Sequence, residues 1–376
     1  MVLSILIIKL QKKMKKEFYK SNSSKLIINV LAGLFFIVAL FSSCSGGDDN
    51  GGGSSAITPS NLVINSDIVG VTTSNPNGDG SGVVNFTVTA TNATYYKILI
   101  GADVITSTSG IFSYTFSELG TNSYTVYVSA YNGSQFISGN KSLTVYVEPQ
   151  LVWSDEFDVN GAPNSSNWSY ETGAGGWGNN EVQYYTNRPE NAIVQGGSLK
   201  INLIKEAYSG SNYTSARIVT RGKHSFKYGR VDIRAKLPAG GGTWPALWML
   251  GDNISTINWP DCGEIDIMEH VGNNLNKIYG SLHYPGHSGG NATTGTTTIA
   301  TATTDFHIYS IDWSSTSIRF YVDNQLYHSF ANTGSTPFNN NFFFIFNCAM
   351  GGNFGGTIDP NITNATLEVD YVRVYQ

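Results

Sequence analysis

The sequence predicts an all-β protein: a large jelly-roll sandwich preceded by a smaller β-sandwich. Composition is the first reason. The chain carries 41 Gly, 21 Tyr and 19 Phe with abundant Thr and Ser, a mixture that favours strands and turns over helices. Patterning is the second. Segment after segment alternates apolar and polar residues with period two, and Gly, Asn and Ser clusters separate them. Length is the third, since 376 residues suit two domains better than one.

Residues 1–44 read as an export signal. Seven Lys between Lys9 and Lys25 form a basic region, and Leu26 to Phe41 follow as an apolar run broken only by Asn29 and Gly33. The run is short for a spanning helix, and Ser42-Ser43-Cys44 supplies the small residues of a cleavage site. Leu40-Phe41-Ser42-Ser43-Cys44 resembles a bacterial lipobox. The resemblance implies cleavage before Cys44 and lipid attachment on its sulfur. The Asp48-Asp49 pair after the cysteine resembles the export signal of surface-displayed lipoproteins of some Gram-negative bacteria, which implies an outer-membrane anchor at the cell surface. Residues 45–56, rich in Gly, Ser and Asp, read as a flexible tether. Without the first 44 residues, 15 basic and 26 acidic side chains remain. That balance argues against nucleic acid and against sulfated polyanions as partners.

Residues 57–148 read as a small sandwich. Val83–Ala90, Tyr95–Ile100, Ser123–Ala130 and Lys141–Val147 all alternate. The pattern resembles a PKD-type, immunoglobulin-like module, and with no Trp and no acid cluster its expected role is that of a spacer. A carbohydrate-binding role would need an exposed aromatic platform. Residues 151–376 hold all seven Trp and read as a large antiparallel sandwich of the jelly-roll kind. Ser198–Leu203, Tyr228–Leu237, Phe306–Asp312, Ser317–Asp323 and Leu367–Tyr375 alternate, with Asp323-Asn324 as a turn. A curved sandwich offers one concave face, and a long groove there suits a polymer.

The chemistry concentrates in Cys262-Gly-Glu-Ile-Asp-Ile-Met-Glu-His270. On a strand, Glu264 and Asp266 share one face and Ile265 and Ile267 the other. Strict alternation would leave Glu269 among the isoleucines, a costly burial of charge. A β-bulge near Ile267-Met268 restores Glu269 to the acid face. Only 13% of the chain is charged, so three acids on one face are not an ordinary solvated surface. Carboxyl pairs with separated pKa values are what glycoside hydrolysis uses. His270 follows by parity on the apolar side. The six His show no paired spacing, so a zinc site is not expected.

Residues 151–376 resemble glycoside hydrolase family 16, in its laminarinase (endo-1,3-β-glucanase) branch. The segments that carry this are Trp153-Ser-Asp-Glu-Phe157, Gly176-Trp-Gly-Asn-Asn-Glu-Val-Gln-Tyr-Tyr-Thr186, Ser215–Arg221, Gly242–Leu250, Trp259–Glu269 and Val369–Tyr375. Met268 matches the bulged form of the family's acid motif, which agarases and carrageenases share. Phe354 stands where laminarinases commonly carry Trp.

The resemblance implies Glu264 as nucleophile, Glu269 as acid/base and Asp266 as their electrostatic partner in a retaining mechanism. Trp244 and Trp248 are expected to stack on sugar faces, and Asn179, Glu181, Arg217, His283 and Asn347 to line the cleft. No cofactor is expected for catalysis. A structural Ca²⁺ is implied at Glu156, the Gly197 carbonyl and Asp370, hard oxygen ligands. The expected partner is a β-glucan polysaccharide and the expected state a monomer. Mixed-linkage glucan, agar or a non-catalytic glucan-binding lipoprotein are the alternatives. Whether Cys262 and Cys348 pair or sit as small buried residues is open from sequence.

Overall fold

The structure, a computed structural model, describes residues 57–376; the expected signal, the Cys44 lipidation site and the tether lie outside the described residues. Two separate hydrophobic cores organise the described chain.

The first core lies between a three-stranded sheet (Ser60–Ile68, Val83–Thr91, Ile111–Thr115) and a four-stranded one (Asp103–Ser107, Tyr95–Ile100, Gly120–Asn132, Gln135–Val147). Alternation places Val84, Phe86 and Val88 inward, facing Ile98, Val126, Val128 and Val145. Tyr95, Tyr131 and Phe136 form one cross-strand row on the other face of the second sheet. Tyr95 and Tyr131 stack on each other, 4.9 Å apart and 5° from parallel. Their faces cover one another, so this row is not an open platform of the kind a sugar ring needs.

The second core lies between sheets of ten and seven strands. The larger runs Gln183–Tyr185, Ser211–Ser215, Leu199–Tyr208, Asn364–Tyr375, Gly229–Lys236, His307–Trp313, Ser317–Val322 and Gln325–Ala331, with Leu151–Asp155 and Ala192–Val194 paired alongside. Asp323 and Asn324 join two of these strands as a two-residue turn, both at positive φ (49° and 63°), as a primed hairpin requires. The smaller sheet runs Thr293–Thr298, Lys277–His283, Glu264–His270, Thr243–Gly251, Phe342–Met350, Arg217–Val219 and Ser169–Tyr170. Its inner face gives Ile265, Ile267, Met268, Leu247, Met249, Phe344 and Phe346 to the core, against Ile201, Val231, Ile233, Phe320 and Val372. Each such side chain contributes about 1.5–3 kcal/mol on burial.

Phe342–Met350 is a strand that period-two reading passes over, because every one of its nine residues is buried. Phe342, Phe344 and Phe346 enter the main core, while Phe343 and Ile345 pack with Val219, Trp248 and Leu250 on the opposite face. A strand covered on both sides loses its polar alternation. Cys262 and Cys348 are free thiols, both buried.

The expected bulge is present. Trp248 pairs with Asp266 and the adjacent Leu247 with Met268, so Ile267 is the extra residue. On the other side Asp266 faces Ser281 and Glu269 faces Tyr279, leaving Gly280 alone opposite Ile267 and Met268. A Cβ at Gly280 would stand 2.4 Å from Tyr327 Oη and 2.7 Å from Phe320 Cδ1 of the other sheet. The glycine lets the sheets close behind the bulge. Gly280→Val is therefore expected to lower stability by about 1–3 kcal/mol through overpacking. Urea unfolding of the variant beside the parent measures this, and equal midpoints with equal slopes would contradict it.

Candidate active site

The outer face of the seven-stranded sheet forms the floor of a cleft of about 680 Å³. The bulge puts Glu264, Asp266 and Glu269 on that floor, in the middle of the lining. On the neighbouring strand, alternation presents Trp244, Ala246, Trp248 and Leu250 to the cleft and buries Leu247 and Met249 in the core. The next strand out gives Tyr279, Ser281 and His283, again two residues apart. Asn179, Glu181, Arg217 and Asn347 complete the residues expected from sequence, and all of them line the cleft. His270, left on the apolar side by parity, is fully buried and accepts a bond from Asn276 N–H at Nε2. Burial pushes its imidazole down to about 4.

Each acid has its own partners. Trp259 Nε1–H donates to Glu264 Oε2 and Trp244 Nε1–H to Glu269 Oε1, both at 2.9 Å. His283 Nε2 lies 3.0 Å from Asp266 Oδ2 and 3.6 Å from Glu264 Oε1. That short approach to Asp266 lacks hydrogen-bond alignment, and Oδ2 has no hydrogen-bond partner. Gly289 N–H donates to His283 Nδ1 at 3.1 Å, which makes Nε2 the protonated nitrogen, facing the acids.

Burial pushes Glu264 well above the usual carboxylate range; the charge of Asp266 adds to this, and His283 and the Trp259 N–H oppose it. Burial and then the charge of Glu269 push Asp266 well up. Burial also raises Glu269, against the Trp244 N–H, His283 and the Ser281 hydroxyl. Three carboxyls so enclosed share protons instead of ionising together.

The cleft wall beyond Trp248 is a polar lattice. Trp248 Nε1–H donates to Asn347 Oδ1 (2.8 Å), and Asn347 Nδ2–H to the Tyr185 hydroxyl (3.0 Å). That hydroxyl and Gln183 Nε2–H both donate to Glu181 Oε2, at 3.1 and 2.7 Å. Arg217 sits between two indoles, 4.9 Å from the Trp177 ring centre and 4.9 Å from that of Trp248. Its Nε–H donates to Glu171 at 2.6 Å. A guanidinium held by two rings and a carboxylate keeps one orientation.

Sequence reasoning did not assign Trp177, Trp259, Tyr279 or Ser281, which also line the cleft, as does Phe354 at the position where the family resemblance places a Trp. Trp259 and Trp177 come from turns, where no periodicity gives a direction. Tyr279 and Ser281 were accessible in principle, since they stand at even spacing from His283.

Strand register brings the expected calcium ligands to one edge: Leu199 pairs with Val369 and Asp155 with Val372, so Gly197, Glu156 and Asp370 follow nearby. Both carboxylates are already engaged. Glu156 accepts from Arg373 Nε and Nη2 at 3.0 and 2.7 Å, and Asp370 accepts from Arg234 Nη1 at 2.6 Å. Arg373 holds Glu156 below its ordinary value. In this arrangement the set does not present a cation site, and calcium would have to take both acids from their guanidinium partners.

Comparison with known proteins agrees with the geometry. The family model of Glycosyl hydrolases family 16 matches residues 178–373. The chain is similar to a beta-glucanase of Rhodothermus marinus, 50% identical over 243 residues, covering 60% of this chain and 85% of that protein. It is similar to the solved laminarinase from Rhodothermus marinus, at 48% identity and a TM-score of 0.59, covering 61% of this chain and 98% of that one. It is also similar to a laminarinase from Flavobacterium sp. UMI-01, at 44% identity and a TM-score of 0.57, covering 60% and 100%. A carboxyl triad on a bulged strand, in a tryptophan-lined cleft, within these matched residues, makes the chain a member of glycosyl hydrolase family 16.

Proposed function

We propose that the protein is a retaining endo-glycosidase that hydrolyses β-1,3-glucan of the laminarin type by double displacement. The observation that carries this is the bulged strand, which presents Glu264, Asp266 and Glu269 together on the floor of a tryptophan-lined cleft. Relatives named beta-glucanase and laminarinase support the choice of substrate.

Glu264 attacks the anomeric carbon while Glu269 gives its proton to the leaving glycosidic oxygen. The C–O bond to the leaving sugar breaks as the C–O bond to Glu264 forms. Glu269, now ionised, takes a proton from water. That water attacks the same carbon, the bond to Glu264 breaks, and Glu269 is again protonated. Asp266, between them, shares protons with its neighbours and keeps the charge on the floor low until substrate arrives. Trp244 and Trp248 offer apolar faces to sugar C–H groups. Asn179, Glu181, Arg217, His283 and Asn347 meet the hydroxyls.

The remaining expectations belong to the same reading. Cys44 carries lipid and anchors a monomeric enzyme to the outer membrane at the cell surface. The first sandwich spaces the catalytic domain from that membrane.

Glu264→Ser is expected to reduce reducing-end release from laminarin to the assay background while leaving glucan affinity intact. Near-normal turnover would remove Glu264 from the nucleophile's role. A panel of laminarin, mixed-linkage glucan and agar reports the linkage, and silence of the parent on all three would favour a binding protein.

Asp266→Asn is expected to separate stability from activity. The folded-state pKa of Asp266 lies above its unfolded value, so its stabilising contribution is full below the unfolded value and is lost as pH rises through the folded one. The variant should therefore melt higher than the parent at about pH 7, converge with it near about pH 3, and turn over more slowly. Equal or lower melting at neutral pH would show that the charge is not destabilising.

Calcium at Glu156, Gly197 and Asp370 is testable by melting. A rise with calcium over EDTA that Asp370→Asn abolishes supports the site, and superimposable curves remove it.

A further inference from the structure

We infer that Trp259 and Trp244 are positioning residues, each donating its indole N–H to one catalytic glutamate and fixing that carboxyl independently of the other. The inference rests on the glycosidase reading above.

The two bonds are alike in length, 2.9 Å each, yet come from unrelated parts of the chain. Trp244 stands on the neighbouring strand, two residues from Ala246, which pairs with Glu269. Two residues keep it on the same face, so its indole leans across to the carboxyl. Its ring is braced by Phe354, perpendicular at 5.6 Å, and Phe354 in turn by Tyr279 at 4.9 Å. Trp259 lies in the turn before the acid strand. Asp261 N–H and Cys262 N–H donate back to Asn258 O, and Gly263 N–H to Pro260 O, folding the turn over Glu264. Gly251 N–H then fastens the turn through Gly263 O at 3.0 Å, at a point where a Cβ on Gly251 would stand 2.1 Å from Cys262 O.

Exposure argues against core packing as the purpose of Trp259. Its residue is 43% exposed, but its polar edge turns inward to Glu264. Chemistry explains the choice of donor. Three crowded carboxyls repel, and a free glutamate would rotate away from its neighbours. A Lys or Arg partner would hold it, but would also drive it far toward the ionised form. An indole N–H donates, cannot accept and does not titrate in this range. It orients one oxygen without adding a charge and leaves the other for bond making or proton transfer. The same bonds act on each glutamate against its burial.

The test uses the full chain with Trp259→Phe and Trp244→Phe, which keep a ring and lose the N–H. Laminarin kinetics are recorded across pH. Activity of the parent is the prior control, since inactivity of the parent on every glucan would overturn the glycosidase reading itself. With an active parent, each variant should lose about 10- to 100-fold in kcat with little change in KM, as expected for one bond to a charged group. Loss of a donor raises the carboxyl it served. Trp259→Phe should therefore move the acidic limb of kcat/KM upward, and Trp244→Phe the alkaline limb upward. Trp248→Phe, whose N–H goes to Asn347, should move neither limb. A rise in KM with both limbs fixed would assign the two rings to sugar stacking alone and overturn the inference, as would equal shifts in all three variants. Should Trp244→Phe fail to fold, Trp259→Phe, at its half-exposed position, decides the matter through the acidic limb.

Discussion

One extra residue in the acid strand is the constraint on which the rest depends. The strand must give Ile265, Ile267 and Met268 to the core and Glu264, Asp266 and Glu269 to the cleft. Regular alternation cannot do both, because Glu264 and Glu269 stand an odd number of steps apart and would fall on opposite faces. The bulge settles the conflict where Ile267 and Met268 stand opposite Gly280. It also sets what its neighbours must be. Gly280 has no side chain because Phe320 and Tyr327 of the second sheet close against it. The strand Thr243–Gly251 shifts register at the same point, and this aligns Ala246 with Glu269 and Trp248 with Asp266.

Electrostatics then shape the cleft. Burying three carboxyls raises all of them, and the charge of neighbouring acids raises Glu264 and Asp266 further. The protein answers mainly with neutral donors. Two indoles and a serine hydroxyl serve the glutamates, and a histidine whose tautomer is set by Gly289 N–H faces Asp266. The full positive charge in the lining, Arg217, is kept at the far wall, between Trp177 and Trp248 and bonded to Glu171. Protons can thus remain on the acid floor, where general acid catalysis needs one. The second sandwich face shows the opposite solution. Glu156 and Asp370 are paired with the guanidinium groups of Arg373 and Arg234, and Arg373 keeps Glu156 ionised.

Strands with one wet face were legible in the sequence because period two survives there. Gly229–Lys236, His307–Trp313 and Ser317–Val322 fall where alternation put them, and Asp323-Asn324 turns where it was expected to. Phe342–Met350 was not legible, since burial on both faces removes the signal. The acid motif was legible down to its bulge, because parity and the cost of a buried carboxylate leave few arrangements. Trp177 and Trp259 were not, as turns carry no period from which a direction could be read.

By itself the sequence determined that the protein is all-β and that its chemistry lies in three acids on one strand face. Both follow from local rules, alternation and the expense of burying charge, that operate within a few residues. Only the tertiary structure decided which side chains meet those acids. Trp244, Trp259 and His283 reach them from two neighbouring strands and a folded turn. Such contacts depend on register between strands distant in the chain and on the path of a loop. They are set when two sheets close over a shared core, and no local pattern encodes them.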